Sequence, residues 1–274
     1  MSRPPVLFIS HGAPTYAIEP GVAGAQLGAL GAALPRPRAV LIVSPHWTTR
    51  EVQVGASLRP KTIHDFGGFS PALYDIDYPV PGDSALAART RDQLKAAGWS
   101  TTLDERRGLD HGAWVPMRHL YPAADVPTFQ VSMPASLDAD AAYRLGVALA
   151  PLRDEGILII GSGSLTHNLY EFRSTDGAVP DYARQFVAWI REAVVAGDHE
   201  RLVQAMAIAP HARHAHPTPE HFLPLLVAAG ASGGETATVL DGGFTHGVLS
   251  MQSYAFGAPI EAVSLLNLEE TLHG

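Results

Sequence analysis

Three short runs in this chain are apolar almost throughout: residues 5–10 (PVLFIS), 39–44 (AVLIVS) and 156–160 (GILII). A strand with one solvated face alternates apolar and polar residues, whereas a strand apolar on both sides must be covered on both. Such strands belong at the centre of a largely parallel sheet with helices packed on each face. The stretches between them are rich in alanine and leucine and suit helices, so the chain reads as an α/β layered fold.

The remaining elements fit that plan. Residues 20–34 predict a weakly capped helix ending at Pro35 and Pro37, and residues 51–56 alternate as a less buried strand. Residues 83–98 have the spacing of an amphipathic helix with Asp83 or Ser84 as its cap. A strand is expected over 128–133, helices over 138–152, 181–196 and 199–207, and a short apolar helix over 220–229. Two or three closing strands are expected between 235 and 266. Residues 59–81 show no period but are dense in Pro, Gly and aromatic residues, and an irregular stretch of that length inside a compact domain is usually functional. Without a repeat, a low-complexity linker or a shift in composition, the 274 residues read as a single domain, 1–274, long enough to bury a sizeable core.

Composition narrows the function. The net charge of −8 and 19 scattered Lys and Arg residues leave no basic surface to hold phosphate backbones, so nucleic acid is not an expected partner. No stretch approaches the roughly 18 apolar residues of a membrane span, and the first residues lack a signal pattern. A cytoplasmic protein without a membrane partner is the default expectation. There is no cysteine, which removes disulfides, thiolate metal sites and a cysteine nucleophile. Any metal must be held by His, Asp or Glu.

The chain has 13 histidines, and their placement is informative. Sites in open α/β sheets form beyond the carboxyl ends of the strands. His11 follows the first apolar run, His46 the second, and His167 lies a few residues past the third. One such histidine is more often a hydrogen-bonded loop residue than a ligand. Three delivered to one sheet edge point to a divalent ion in an all-His or His-plus-carboxylate site, which suits Zn, Fe(II), Mn or Ni. Residues 211–221 (HARHAHPTPEH) add more candidates. His211, His214 and His216 sit in a polar loop and are expected to face solvent. Thr218 as cap and Pro219 as first helical residue place His221 in the first turn of a helix. Adjacent helical residues diverge by about 100°, so Glu220 and His221 compete for one ion. His221 is favoured, because Glu220 fits as a first-turn acid. His111 lies in a Gly-bounded turn (GLDHGAW), either as an acid–base group or as a turn stapled by Asp110 and His111. His64 and Asp65 belong to a pocket lid or a packed surface loop. His119, His199, His246 and His273 are read as structural or exposed.

Six motifs then occur in order: SHGAP at 10–14, SPHW at 44–47, IHDFGGF at 63–69, LDHGAW at 109–114, THNL at 166–169 and PTPEHFLPL at 217–225. Together they resemble the DODA-type class III extradiol dioxygenases, the 4,5-DOPA dioxygenase branch of the LigB-like superfamily, from residue 5 to about 255. The resemblance implies a single-domain LigB-like α/β fold, a central mixed β-sheet flanked by helices on both faces. It implies a metal held by His11, His46 and His221, with His167 beside it as a base or additional ligand. His111 is then placed to touch substrate or oxygen, with further substrate contacts from His64 and Trp47. Trp47, Trp114, Phe66 and Tyr254 are the candidates to line an aromatic slot.

The family reaction opens a catechol ring beside its two hydroxyls and inserts both atoms of O2. Fe(II) is expected for activity, and Zn(II) is the alternative occupant. Better-known extradiol enzymes use two His and one carboxylate; His221 as the third ligand departs from that set and leaves the site one charge more positive. Two other classes use the same fold or ligands: a zinc hydrolase with His167 or His111 as acid–base partner, and a non-catalytic LigB-like protein. The second predicts a damaged histidine set, and all the family histidines are present.

Overall fold

The computed structural model describes residues 3–173 and 177–258. In chain order its strands are β1 (Val6–Ser10), β2 (Ala39–Thr49), β3 (Val52–Gly55), β4 (Thr101–Asp104), β5 (Thr128–Pro134), β6 (Ile157–Gly163), β7 (Ala237–Leu240), β8 (Phe244–Thr245), β9 (Leu249–Ser250) and β10 (Ser253–Phe256). The helices are α1 (Gly21–Ala33), α2 (Ser84–Ala96), α3 (His111–Leu120), α4 (Ala139–Leu149), α5 (Asp181–Val195), α6 (His199–Val203), α7 (Ala205–Ile208), α8 (Ala212–Ala215) and α9 (Leu223–Ser232). Eight strands form one mixed sheet in the order β4-β3-β5-β2-β6-β1-β10-β7, and β8 pairs with β9. The four central strands β5, β2, β6 and β1 run parallel. The sheet turns antiparallel where β3 meets β5 and where β10 meets β1 and β7. None of the described helices is long and apolar enough to cross a membrane.

The runs that are apolar on both sides are the central strands, and alternate residues along them enter two different cores. Val6, Phe8, Leu41, Val43, Ile157 and Ile159 face a core built with α2, α4, α5 and α9. Leu7, Ile9, Val40, Ile42, Leu158 and Ile160 face the other, built with α1 and α3. Each of these side chains is essentially inaccessible to water, and burial of an aliphatic residue contributes roughly 1.5–3 kcal/mol.

Several elements differ from the sequence expectation. β2 continues to Thr49, and its pairing with β5 slips between Val43 and Thr48, a bulge that carries Ser44, Pro45 and His46. The turn expected at 108–114 is the start of helix α3. Gly112 and Pro116 depress intrinsic helix propensity by about 1 and 3 kcal/mol, but tertiary burial overrides that, since every α3 residue except Arg118 and His119 is buried. The short strand β4 has too few residues to show a period. Residues 138–152 divide into α4 and a 3-10 turn over Ala150–Glu155, closed by Gly156 at φ 81°, and residues 199–207 divide into α6 and α7. Asp83 caps α2 by accepting from the Leu86 N–H. The last apolar helix begins at Leu223 instead of 220, with Pro224 in its first turn, where its missing N–H costs nothing. Thr218 does not cap it; its hydroxyl donates to Glu220. The closing strands are β7 to β10, and positions 259–266 and His273 lie outside the described residues.

Candidate metal centre

The carboxyl ends of β1, β2 and β6 converge as parallel strands must, and each delivers a histidine. His11 follows β1 directly, His46 sits on the β2 bulge, and His167 lies past the end of β6. His221 reaches the same place from the turn ahead of α9. That approach depends on two glycines in β6. A Cβ on Gly161 would stand 2.0 Å from the Pro224 carbonyl oxygen, and one on Gly163 would stand 2.3 Å from that of His221. Only glycine lets the start of α9 lie so close to the sheet. His111 enters as the first residue of α3, where Gly112 leaves room for the His46 ring, 3.0 Å from where a Cβ would be.

The Nε2 atoms of His11 and His46 face each other at 3.2 Å. Two ring nitrogens at that distance need one proton or one cation between them. Two nitrogens bound at about 2.1 Å to one tetrahedral ion stand about 3.4 Å apart, so the spacing fits a shared ion. One nitrogen from each of His11, His46 and His221 lies within 4.8 Å of the others. Their Nδ1 atoms are otherwise engaged: His11 with the Ser162 hydroxyl at 2.9 Å, His221 with the Glu220 carboxylate at 3.1 Å, and His46 with Asp65 Oδ2 at 3.7 Å. Second partners of this kind fix the tautomer and aim the other nitrogen. His221 Nε2 is buried with no hydrogen-bond partner, and an orphaned buried nitrogen costs free energy unless something fills it. The three residues therefore fit a divalent metal.

Electrostatics point the same way. Burial first, then the charges of the neighbouring histidines, push His11 and His221 well below the usual imidazole range. Burial and then His111 push His46 down to about 3, against the pull of Asp65 and Glu220. His167 is pushed down to about 4, mainly by burial. Imidazoles held neutral keep their lone pairs available, so a cation need not displace protons to bind.

Asp65 joins two of these rings. Its Oδ1 accepts from both the backbone N–H of His111, at 2.9 Å, and Nδ1 of His111, at 3.0 Å, while Oδ2 faces His46. Burial pushes this carboxyl up, but the His111 hydrogen bonds and charge outweigh it and hold the group at about 2, so it stays ionised. The base of α3 is fixed by Asp110, a fully buried carboxylate that accepts from the Ser44 hydroxyl, Gln130 Nε2 and Arg107 Nη2.

The other expected site residues are placed as follows. His167 lies against His221. Phe66 stands edge-on to His111 with ring centroids 5.7 Å apart, backed by Phe69 and Tyr74. His64 is one ring further out, against Phe66 and Trp114, and its Nε2 donates to the Ile76 carbonyl. Trp47 follows His46 on β2, so the strand alternation turns it to the opposite side, and the Arg107 guanidinium lies over it at 5.0 Å. Trp114 is buried and donates to the Ile63 carbonyl. Tyr254 is a core residue of β10 beside Phe8 and Phe256, so it does not line an aromatic slot. His211 and His214 are exposed, as expected, but His216 is buried and donates to the Leu165 carbonyl, because α8 turns it inward. In the sequence alone Ser162 carries no signal, Asp65 fits a lid or a packed surface loop, and Glu220 fits a helix dipole. Strand alternation past Gly161 would have turned Ser162 toward α3, away from the glycine face.

Comparison with known proteins shows the family and the fold. The family described as the catalytic LigB subunit of aromatic ring-opening dioxygenase matches residues 5–257. A protein of Beta vulgaris named 4,5-DOPA dioxygenase extradiol is 41% identical over 254 residues, covering 91% of this chain and 95% of that protein. A protein of Escherichia coli K12 with the same name is 39% identical over 264 residues, covering 93% and 96%. Among solved structures, that of an uncharacterized Escherichia coli K12 protein superposes with a TM-score of 0.76 at 34% identity, covering 93% of this chain and all of the other.

Proposed function

The chain belongs to the LigB family of aromatic ring-opening dioxygenases, and from that premise we propose that it opens the ring of a small DOPA-like catechol with O2. The C–C bond beside the diol breaks, and both oxygen atoms end in the product. The observation that supports this reading most directly is the trio His11, His46 and His221, the first and last buried and His46 half-buried, with Nδ1 atoms engaged and Nε2 of His221 unpartnered.

In this reading His11, His46 and His221 would hold Fe(II), which when bound would supply Lewis acidity and a route for electrons to O2. Zn(II) suits the same nitrogens and is redox-inert. The protein's own groups handle protons and shape. His167, unprotonated at neutral pH, accepts a proton from a catechol hydroxyl and returns it as the ring opens. His111 gives its Nδ1 proton to the Asp65 hydrogen bond, leaving Nε2 as the atom that meets substrate. Phe66, Phe69 and Tyr74 form the apolar wall on the His111 side, which favours a flat ring and excludes water.

The test is oxygen uptake with L-DOPA, protocatechuate and catechol, on protein stripped of metal and reloaded anaerobically with Fe(II) or Zn(II). Uptake with a new yellow product in the iron sample alone is the expected result. No uptake from a stoichiometrically loaded iron sample, together with ester or amide hydrolysis by the zinc sample, would replace this reading with a zinc hydrolase.

A further inference from the structure

Helix α3 contains a proline at its sixth position, Pro116. In an α-helix the N–H of residue 116 would bond the carbonyl of residue 112, and proline has no N–H. The Gly112 carbonyl is therefore left without its helical donor, deep in the protein. It is satisfied from outside: the Ser162 hydroxyl of β6 donates to it. A hydroxyl has one proton to give, so the same Ser162 oxygen can only accept from its other neighbour, Nδ1 of His11, 2.9 Å away. Nδ1 of His11 must then carry the ring proton, and the lone pair is left on Nε2, the atom facing His46.

We propose that Pro116 and Ser162 are positioning residues that set the tautomer of His11, so that its Nε2 is ready to bind metal. The proline acts at a distance of two hydrogen bonds: by vacating the Gly112 carbonyl it commits the Ser162 proton, and by committing that proton it forces Ser162 to accept. With an ordinary residue at 116 the helix would fill the Gly112 carbonyl itself. Ser162 would be free to donate to His11, and the Nε2–H tautomer, which cannot ligate without losing its proton, would compete. The role explains why a helix tolerates an interior proline here, and why β6 has a hydroxyl between two glycines.

The affinity part of this proposal rests on His11 being a metal ligand; the tautomer part does not, and the two are read separately. Imidazole 1H–15N correlation spectra of the metal-free protein, with the His11 signals identified by their loss in H11Q, are expected to show the Nδ1–H tautomer, shifting toward Nε2–H in P116A. Zn(II) affinity, measured by chelator competition, is expected to fall by about 10- to 100-fold in both P116A and S162A. P116A is expected to add little further loss in the S162A background, because the two act through one hydrogen bond, and S162T is expected to restore affinity. An Nε2–H tautomer in the unmodified protein, or equal losses from P116A with and without Ser162, would overturn the relay. The predicted tautomer with unchanged Zn(II) affinity in H11Q would leave the relay standing and remove His11 from the ligand set, whereas unchanged affinity in S162A with affinity lost in H11Q would overturn the positioning role of Ser162. If P116A does not fold, the unmodified tautomer and the S162A and S162T pair decide alone.

Discussion

His167 lies face to face on His221, with ring centroids 3.4 Å apart and planes within 8° of parallel. Charge on one stacked imidazole disfavours charge on the other, so a cation held by His221 would keep His167 neutral, with its lone pair free to accept a proton. His167→Ala is expected to lower kcat by about 10²- to 10⁴-fold while bound metal stays near stoichiometric, whereas His221→Ala should lose the metal. Metal analysis beside turnover distinguishes the two; equal metal loss would make His167 a ligand and not a base.

Asp65 accepts twice from His111 and faces His46. Asp65→Asn keeps the shape but removes the charge and one firm acceptor. Turnover should fall by about 10- to 100-fold with metal content largely kept, since none of the proposed ligand nitrogens is lost. Unchanged turnover would show that the orientation of His111 does not limit the reaction.

Gly161→Ala tests the approach of α9. Its Cβ would stand 2.0 Å from the Pro224 carbonyl oxygen, so the helix must move off the sheet, costing about 1–3 kcal/mol and shifting His221 with it. Melting temperature and metal content should both drop. Gly67→Ala, where a Cβ meets nothing within 4 Å, serves as the neutral comparison.

Stability should fall with acid in a defined window. His167 and His216 are each held at about 4, mainly by burial, against about 6.5 in the unfolded chain. Between those values the unfolded chain binds protons that the folded protein refuses. The contribution is complete above about pH 6.5, shrinks as pH falls and levels off below about 4, with a slope up to about 1.4 kcal/mol per pH unit for each proton. Urea midpoints of the metal-free protein at about pH 7.5, 6 and 5 measure this. His216→Asn should flatten the curve, and a midpoint that rose with acid would contradict the assignment.

The central strands were legible because burial on both faces leaves an unbroken apolar run, and His11 and His46 were legible because they end such runs. What stayed hidden depends on contacts far apart in sequence. Residues 111–120 carry a glycine and a proline that argue against a helix, and burial against α1, β2 and β6 makes one. The HARHAHP stretch looks uniformly polar, yet one turn of helix sends His216 inward and leaves His211 and His214 outside. The apolar run of β6 is legible only to Ile160, and the strand continues through Gly161, Ser162 and Gly163 because the sheet turns the two glycines toward α9 and Ser162 toward α3. Asp65 sits in a segment without period, so no pattern links it to His111, whose ring it holds.

The three proposed ligands lie at residues 11, 46 and 221, on segments that meet only when the sheet is assembled. An ion held by all three would act as a cross-link closing most of the chain into loops, and such closures restrict the unfolded ensemble most when the loops are long. The bond network that readies the site for chemistry would then also be a clasp on the fold, concentrated at one edge of the sheet. In the metal-free protein that edge, with its crowd of neutral imidazoles and an unfilled nitrogen on His221, is where opening should begin.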